Sequence, residues 1–364
     1  MRSDKKTKRK KKLIGFLLKL LATLVVIVAV FLGGLTFMEY KPQDVEILTV
    51  TGTSSARPNI GDTIKIISWN IGYGALGDNA SYFLDGGKDV ITSDEARVHE
   101  NMAKISAYLT EQRPDVMLLQ EMDHPSKRSY NIHQPQFLFK SLEGSYTATY
   151  AINHKAIFIP YPIPPLGKVE SGLLTVSVYD TNYATRTSLP CPFSWPMRII
   201  NLKRCLMMNR TPVAGGEKSI IFINFHLEPY TDKEGHDAQM DVLLKLMEEE
   251  YAKGNYVIAG GDFNHTFSTV DLNKYPLDPK KWNPEIVDPS IVGDNFTVLM
   301  DDSVPSCRLL DQPYENADPN TFQYYVLDGF IISKNLKVQS IKTDQLNFVN
   351  SDHNPVILEV TLGK

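Results

Sequence analysis

Residues 255–264 read NYVIAGGDFN, an apolar run that stops at Asp262 and Asn264. Four apolar residues from Tyr256 to Ala259, with no polar interruption, suit a strand covered on both faces. The same construction recurs along the chain. TIKIISWN (63–70) ends on Asn70 and enters the glycine-rich turn IGYG; MLLQE (117–121) ends on Glu121. KSIIFINFH (218–226) ends on Asn224 and His226, Asp328 interrupts QYYVLDGFIIS (323–333), and Asp352 and His353 stand just before NPVILEVTL (354–362). Two segments carry helical spacing instead: EARVHENMAKISAYLTEQ (95–112), stopped by Arg113-Pro114, and DAQMDVLLKLMEEEYAKG (237–254). Strands outnumber long helices, which points to one α/β domain. The chain between about 123 and 215 reads as a long irregular stretch. Prolines in FIPYPIPPLG (158–167) and SLPCPFSWPM (188–197) exclude those pieces from central strands. They read as packed loops, with an aromatic, proline-stiffened wall beside a substrate cleft as the alternative.

Each polar strand end alone has an ordinary explanation, since Asn and Asp favour turns and a His beside a strand is commonly a satisfied structural group. Six such ends together imply a polar pocket. Carboxylates with amide or water oxygens make a hard-oxygen site suited to Mg²⁺, with Mn²⁺ or Ca²⁺ as alternatives. Neither a cysteine nor H-E-x-x-H is among these residues, which disfavours thiolate or zincin-type zinc. Two imidazoles can share proton transfer, and a carboxylate bonded to one of them fixes its tautomer. This chemistry suits attack of water on phosphorus.

The N-terminus is of another kind. Residues 1–12 hold eight Lys/Arg against one Asp, and Leu20–Met38 is nineteen residues without a charge. With the stretch from Leu13 the apolar run reaches 26 residues, broken only by Lys19. About 20 suffice to cross a bilayer. The positive-inside rule places a basic tail (1–12) in the cytoplasm, an anchor at 13–38, and a stalk (39–62) and domain (63–364) outside it. The overall balance of -4 hides this split, because residues 39–364 carry 29 basic and 41 acidic side chains, or -12. With 43% hydrophobic residues and three cysteines, disordered, collagen-like and disulfide-scaffold chains are excluded. Cys191, Cys205 and Cys307 allow at most one disulfide, and spacing does not choose the pair.

SWNIGYG, PDVMLLQEMD, FINFHLEPY, VIAGGDFN, YVLDGFIIS and NSDHNPVI occur in the order of the endonuclease/exonuclease/phosphatase superfamily, which the chain resembles from about Ile66 to Val360. Members include DNase I-like nucleases, abasic-site endonucleases, neutral sphingomyelinases and inositol-polyphosphate phosphatases. The resemblance implies a four-layered α/β sandwich, two packed mixed sheets flanked by helices, here preceded by one transmembrane helix. It implies Glu121, Asn70 and Asp352 as metal-site residues, Glu121 foremost. His353 resembles the general base and Asp328 the carboxylate that orients it. Asp262 and Asn264 resemble the groups that position nucleophile and phosphoryl oxygens, and His226, supported by Asn224, the histidine on the phosphate. Departures narrow the substrate: AGGDFNHT and YYVLDGF differ from the W-x-G-D-L-N-Y-R and P-x-W-C-D-R of inositol 5-phosphatases. The expected substrate is a phosphate ester, a lipid headgroup being favoured slightly over nucleic acid because the body is acidic and anchored. Arg128, Arg186, Arg198, Arg204 and Arg210 are candidates for a local phosphate grip. An extracytoplasmic nuclease, a non-catalytic binding module and a cation-stabilised surface protein are the alternatives; oligomeric state is open.

Overall fold

The computed structural model describes residues 2–230 and 233–363; Met1, Thr231, Asp232 and Lys364 lie outside the described residues, so the outermost residue of the expected tail and of the expected domain is not covered. The first sheet runs β17 (Leu336–Thr343), β18 (Val356–Leu362), β3 (Thr63–Asn70), β4 (Val116–Asp123), β6 (Gly167–Ser177), β5 (Thr147–Ile159), β2 (Thr51–Gly52). The second runs β1 (Val45–Ile47), β7 (Tyr183–Ser188), β8 (Cys205–Pro212), β9 (Ser219–His226), β10 (Tyr256–Asp262), β16 (Asp328–Ser333), β13 (Phe296–Leu299). Two short ribbons join β11 (Thr266–Phe267) to β12 (Ile286–Val287) and β14 (Cys307–Arg308) to β15 (Tyr324–Tyr325). The helices are α1 (Arg2–Phe37), α2 (Glu95–Gln112), α3 (Gln134–Phe139) and α4 (Lys233–Tyr251).

Period-two alternation builds the layers. Ile64, Ile66, Val116 and Leu118 of the first sheet pack against Ile220, Phe222, Tyr256 and Ile258 of the second. The alternate residues Ile67, Trp69, Met117 and Leu119 face outward onto Met102, Ile105 and Leu109 of α2. Ile221, Ile223, Val257 and Ala259 likewise meet Met240, Leu243 and Met247 of α4. This is the four-layered sandwich implied by the resemblance. Gly260 lets β10 run close beneath the first sheet, because a Cβ there would lie 2.5 Å from Phe330 and 2.9 Å from Leu118.

What positions the site is the direction of four strands. Each sheet has one parallel pair, β3–β4 and β9–β10, joined through α2 and α4 respectively. A parallel pair needs such a crossover. Asn70, Glu121, His226 and Asp262 all fall at the carboxyl ends of these strands. The helix limits follow their caps: Asp94 accepts from the backbone of Arg97, and Arg113 closes α2 in the left-handed conformation before Pro114.

Three expectations need correction. The stretch from 123 to 215 is not irregular, since it holds α3 and the strands β5 to β8, and the two proline-rich pieces fall largely in the loops between them. QYYVLDGFIIS is two strands, β15 and β16, so Asp328 opens a strand rather than interrupting one. Residues 39–62 are docked: β1 pairs with β7 and β2 with β5, adding one strand to an edge of each sheet. The helix α1 contains a segment, Thr7–Phe37, long and apolar enough to be a membrane span or a signal sequence.

Candidate active site

Strand irregularity aims the first acidic group. The β4–β6 pairing slips between Leu119 and Met122, and Glu121 sits in that bulge with φ 53°. The bulge turns the Glu121 carboxylate out of the sheet into a cleft of about 340 Å³. Asn70, His226, Asp262, Asn264, Asp352 and His353 line the same cleft. Asn70 links the first of them, its amide donating to Asp262 at 3.1 Å and to Glu121 at 3.4 Å, while its oxygen accepts from the backbone of Gly72. Gly72 has φ +51°, and a Cβ there would stand 2.8 Å from the Asp352 carboxylate, so the turn after β3 leaves room for that group.

The imidazoles are held differently. Nδ1 of His353 lies 2.8 Å from Asp328 Oδ2, which also accepts from Ser306 at 2.7 Å, while Nε2 faces Asp262 at 3.7 Å and Asp352 at 4.0 Å. Trp69 Nε1 donates to the His353 carbonyl and ties this loop to β3. Burial alone would lower the His353 pKa, but the charges of Asp328, Asp262 and Asp352 raise it well above the ordinary value. His226 goes the other way: burial, then the positive charges of Arg204 and His353, lower its pKa well below the ordinary value. Its Nε2 lies 3.4 Å from Asp262 Oδ2, whereas its buried Nδ1 makes no hydrogen bond among the described residues and lies 3.9 Å from Glu121. Asp262 is pushed up to about 7 by burial and by Asp328, and Asp352 to about 7 by burial and by Glu121.

These shifts describe a buried space with more negative charge than its own residues neutralise, so protons are retained there. A cation binding among carboxylates displaces such protons. The donors fit a hard ion: the carboxylates of Glu121, Asp262 and Asp352 line one cleft, and among the described residues the buried His226 Nδ1 beside them has no hydrogen-bond partner. Cys307 does enter a compact group with Asp352 and His353, a neighbour that cysteine spacing did not reveal. Burial pushes its thiol up to about 12, so it offers no thiolate. All three cysteines are free.

Not every expected residue reaches the cleft. Asn224 is fully buried, accepting from Gln120 at 2.7 Å and donating to the carbonyls of Leu119 and Leu174, which pins one sheet to the other. Asp328 lies behind His353. Asn264 lines the cleft but donates to the Leu227 carbonyl at 2.8 Å, and its own N–H donates to Asp262 at 2.9 Å. Of the arginines, Arg128 and Arg204 line the cleft, the first stacked 3.7 Å over the Tyr73 ring and paired with Asp123, the second paired with Glu228. Arg186 binds the Ile152 and Lys203 carbonyls, Arg198 pairs with Glu39 and Arg210 with Glu250, all away from the floor. Residue order did not disclose Ser306, Ser351 or Arg308; the last is a buried cation whose main-chain N–H donates to the Asp352 carbonyl.

The profile of the endonuclease/exonuclease/phosphatase family matches residues 67–353, which include every polar group named on the cleft floor. No curated protein matches the chain. Among solved structures, it is similar to the endonuclease/exonuclease/phosphatase from Beutenbergia cavernae, with 17% identity and a TM-score of 0.54 over 83% of this chain and 72% of that one. It is similar also to a family protein from Leptotrichia buccalis, at 16% identity and TM-score 0.52 over 82% of this chain and 100% of that one. A third, from Bacteroides vulgatus, gives 14% identity and 0.51 over 83% and 99%. At these identities the likeness is one of fold.

Proposed function

We propose that the chain, which belongs to the endonuclease/exonuclease/phosphatase family, is a divalent-cation-dependent phosphoesterase that hydrolyses a phosphodiester by attack of water on phosphorus. One observation carries this reading: Glu121, His226, Asp262, Asp352 and His353, spread over more than 230 residues of chain, line a single cleft, with Asp328 bonded behind His353. Glu121 and Asp352 would hold Mg²⁺ or Mn²⁺, with the Asn70 amide beside the ion through its N–H to Glu121, and the ion would supply Lewis-acid polarisation of a phosphoryl oxygen and charge neutralisation. Asp328 keeps Nδ1 of His353 engaged, so Nε2 is the atom that takes a proton from water. The water oxygen bonds to phosphorus as its proton passes to His353 Nε2, the bond to the leaving oxygen breaks, and that oxygen takes a proton from solvent while His353 returns its own to solvent. His226, kept neutral by burial, has one N–H, which Nε2 directs at Asp262, and its ring forms the cleft wall beside which the phosphoryl group would bind. Asp262 and Asn70 hold His226 and Glu121 in register.

We place α1 as a single-pass anchor with the basic tail in the cytoplasm and the domain outside it, following flanking charge. The test is turnover of bis(p-nitrophenyl) phosphate by the full chain in detergent with Mg²⁺, with Mn²⁺ and with EDTA. Expected are turnover with either ion, loss in EDTA, and loss in His353→Ala with unchanged circular dichroism. A folded protein that turns over none of it, or an equal rate in EDTA, contradicts the reading.

A further inference from the structure

The end of α1 and the open rim of the cleft meet. Trp195 Nε1 donates to Thr36 Oγ1 at 3.0 Å, Phe31 and Phe158 lie edge to face with centroids 6.5 Å apart, and Leu35 is buried. Glu39, just past the helix, pairs with Arg198 at 3.0 Å and Lys203 at 3.3 Å. These contacts fix where the helix leaves the domain: beside the β5–β6 and β7–β8 loops, which carry the two proline-rich pieces. Those loops hold apolar groups out in water, Ile163 at 90% exposure, Tyr161 at 67%, Met197 at 54% and Trp195 at 53%. Single exposed apolar residues need no explanation, but a group of them beside an apolar helix does.

Length arithmetic sets their depth. The run Leu13–Met38 has 26 residues, about 39 Å as a helix against a hydrocarbon core of about 30 Å. Whichever 20 or so consecutive residues span the core, Phe31 is among them, and Phe158 touches Phe31. The end of β5, from which the proline-rich loop departs one residue later, therefore reaches hydrocarbon depth if α1 spans. Trp and Tyr next to it are the residue types that settle at a headgroup interface. The same loops line the catalytic cleft through Tyr161, Leu166, Met197 and Ile200.

We propose that these two loops and the last turns of α1 form a seat in the outer leaflet of the bilayer that α1 spans, so that the cleft opens at the lipid surface. Resting on the phosphoesterase reading, this makes the substrate the phosphodiester headgroup of a lipid held in that leaflet. Nucleic acid in solution is the less suited substrate, because the body carries a balance of -12 and repels a polyanion.

The full chain is placed in nanodiscs of phosphatidylcholine and sphingomyelin, with brominated phosphatidylcholine as fluorescence quencher and ³¹P NMR to read headgroup release. Expected is quenching that falls sharply in Trp195→Phe, since Trp69 is buried and the half-buried Trp282 is packed against Tyr325 with Nε1 on the Pro229 carbonyl. The double variant Ile163→Asp, Trp195→Ser should lose lipid turnover on the order of ten-fold, as expected when an interfacial anchor is removed, with turnover of the soluble diester unchanged. Absence of Trp195-dependent quenching, an equal fall on both substrates, or faster hydrolysis of an oligonucleotide than of nanodisc lipid overturns the proposal. If the wild-type protein cleaves no soluble diester, the phosphoesterase reading and the substrate assignment fall together, and quenching alone decides the seat.

Discussion

The floor and the rim of the cleft are built by opposite rules. On the floor, Asn70, Asp262, Asp328 and His353 are at most 6% exposed and tied to one another or to neighbouring side chains. On the rim, Ile163 is 90% exposed on a loop rich in proline. Chemistry at phosphorus needs donors fixed to fractions of an ångström, which strand ends in a packed sandwich provide. Contact with a fluid surface needs only apolar area on a stiff loop. Floor substitutions should therefore cost turnover on every substrate, and rim substitutions only on substrates held in a membrane.

The largest expected effect is His353→Ala, which should lower kcat/KM by about 10³-fold on soluble and lipid diesters alike, measured by initial rates on protein with an unchanged melting transition. Comparable rates would remove the distinction at its root. Asp328→Asn should cost about 10²-fold: it keeps the shape but no longer holds His353 Nδ1 by a charge-assisted bond. A drop on one substrate class alone would show that Asp328 serves the rim. The rim double variant ranks third, with its ten-fold loss confined to lipid.

The smallest effect concerns Asp85, on the wall between the two regions. Burial first, then Glu121 and Asp311, push its carboxyl up to about 6 against hydrogen bonding from Tyr230. A folded-state pKa above the unfolded one means that its contribution is fully present below about pH 4. That contribution is lost as pH rises through about 6. Asp85→Asn should match the wild-type melting temperature near pH 4 and exceed it by a few degrees at pH 8; a mutant less stable at pH 8 reverses the sign.

The two regions also differ in how openly the sequence displayed them. Strands β3, β4, β9 and β10 are largely apolar runs that close on polar residues, so their ends and the residues they deliver could be marked from order alone. The α2 helix was legible through its apolar spacing and the stop at Arg113-Pro114. Strands β5 and β6 were hidden because the core they enter is partly polar: Thr149 accepts from Asn209 inside it, and Thr175 accepts from Asn224. Two slips in the β5–β6 register further blur any period of two. The stalk was misread for a related reason, since β1 and β2 hold only three and two residues and are strands by virtue of the edges they join. On the floor, Ser306 and Ser351 left no trace because serine before a strand is common. Asn224 looked like a site residue because a buried amide pin and a cleft-facing amide share the same sequence pattern.

Crystals of the protein soaked in Mn²⁺ and measured at the manganese absorption edge test the central claim most directly. An anomalous peak should lie within about 2.5 Å of a carboxylate oxygen of Glu121 and beside Asp352. No peak in the cleft at saturating Mn²⁺, or one held only by acidic residues elsewhere on the surface, would contradict it.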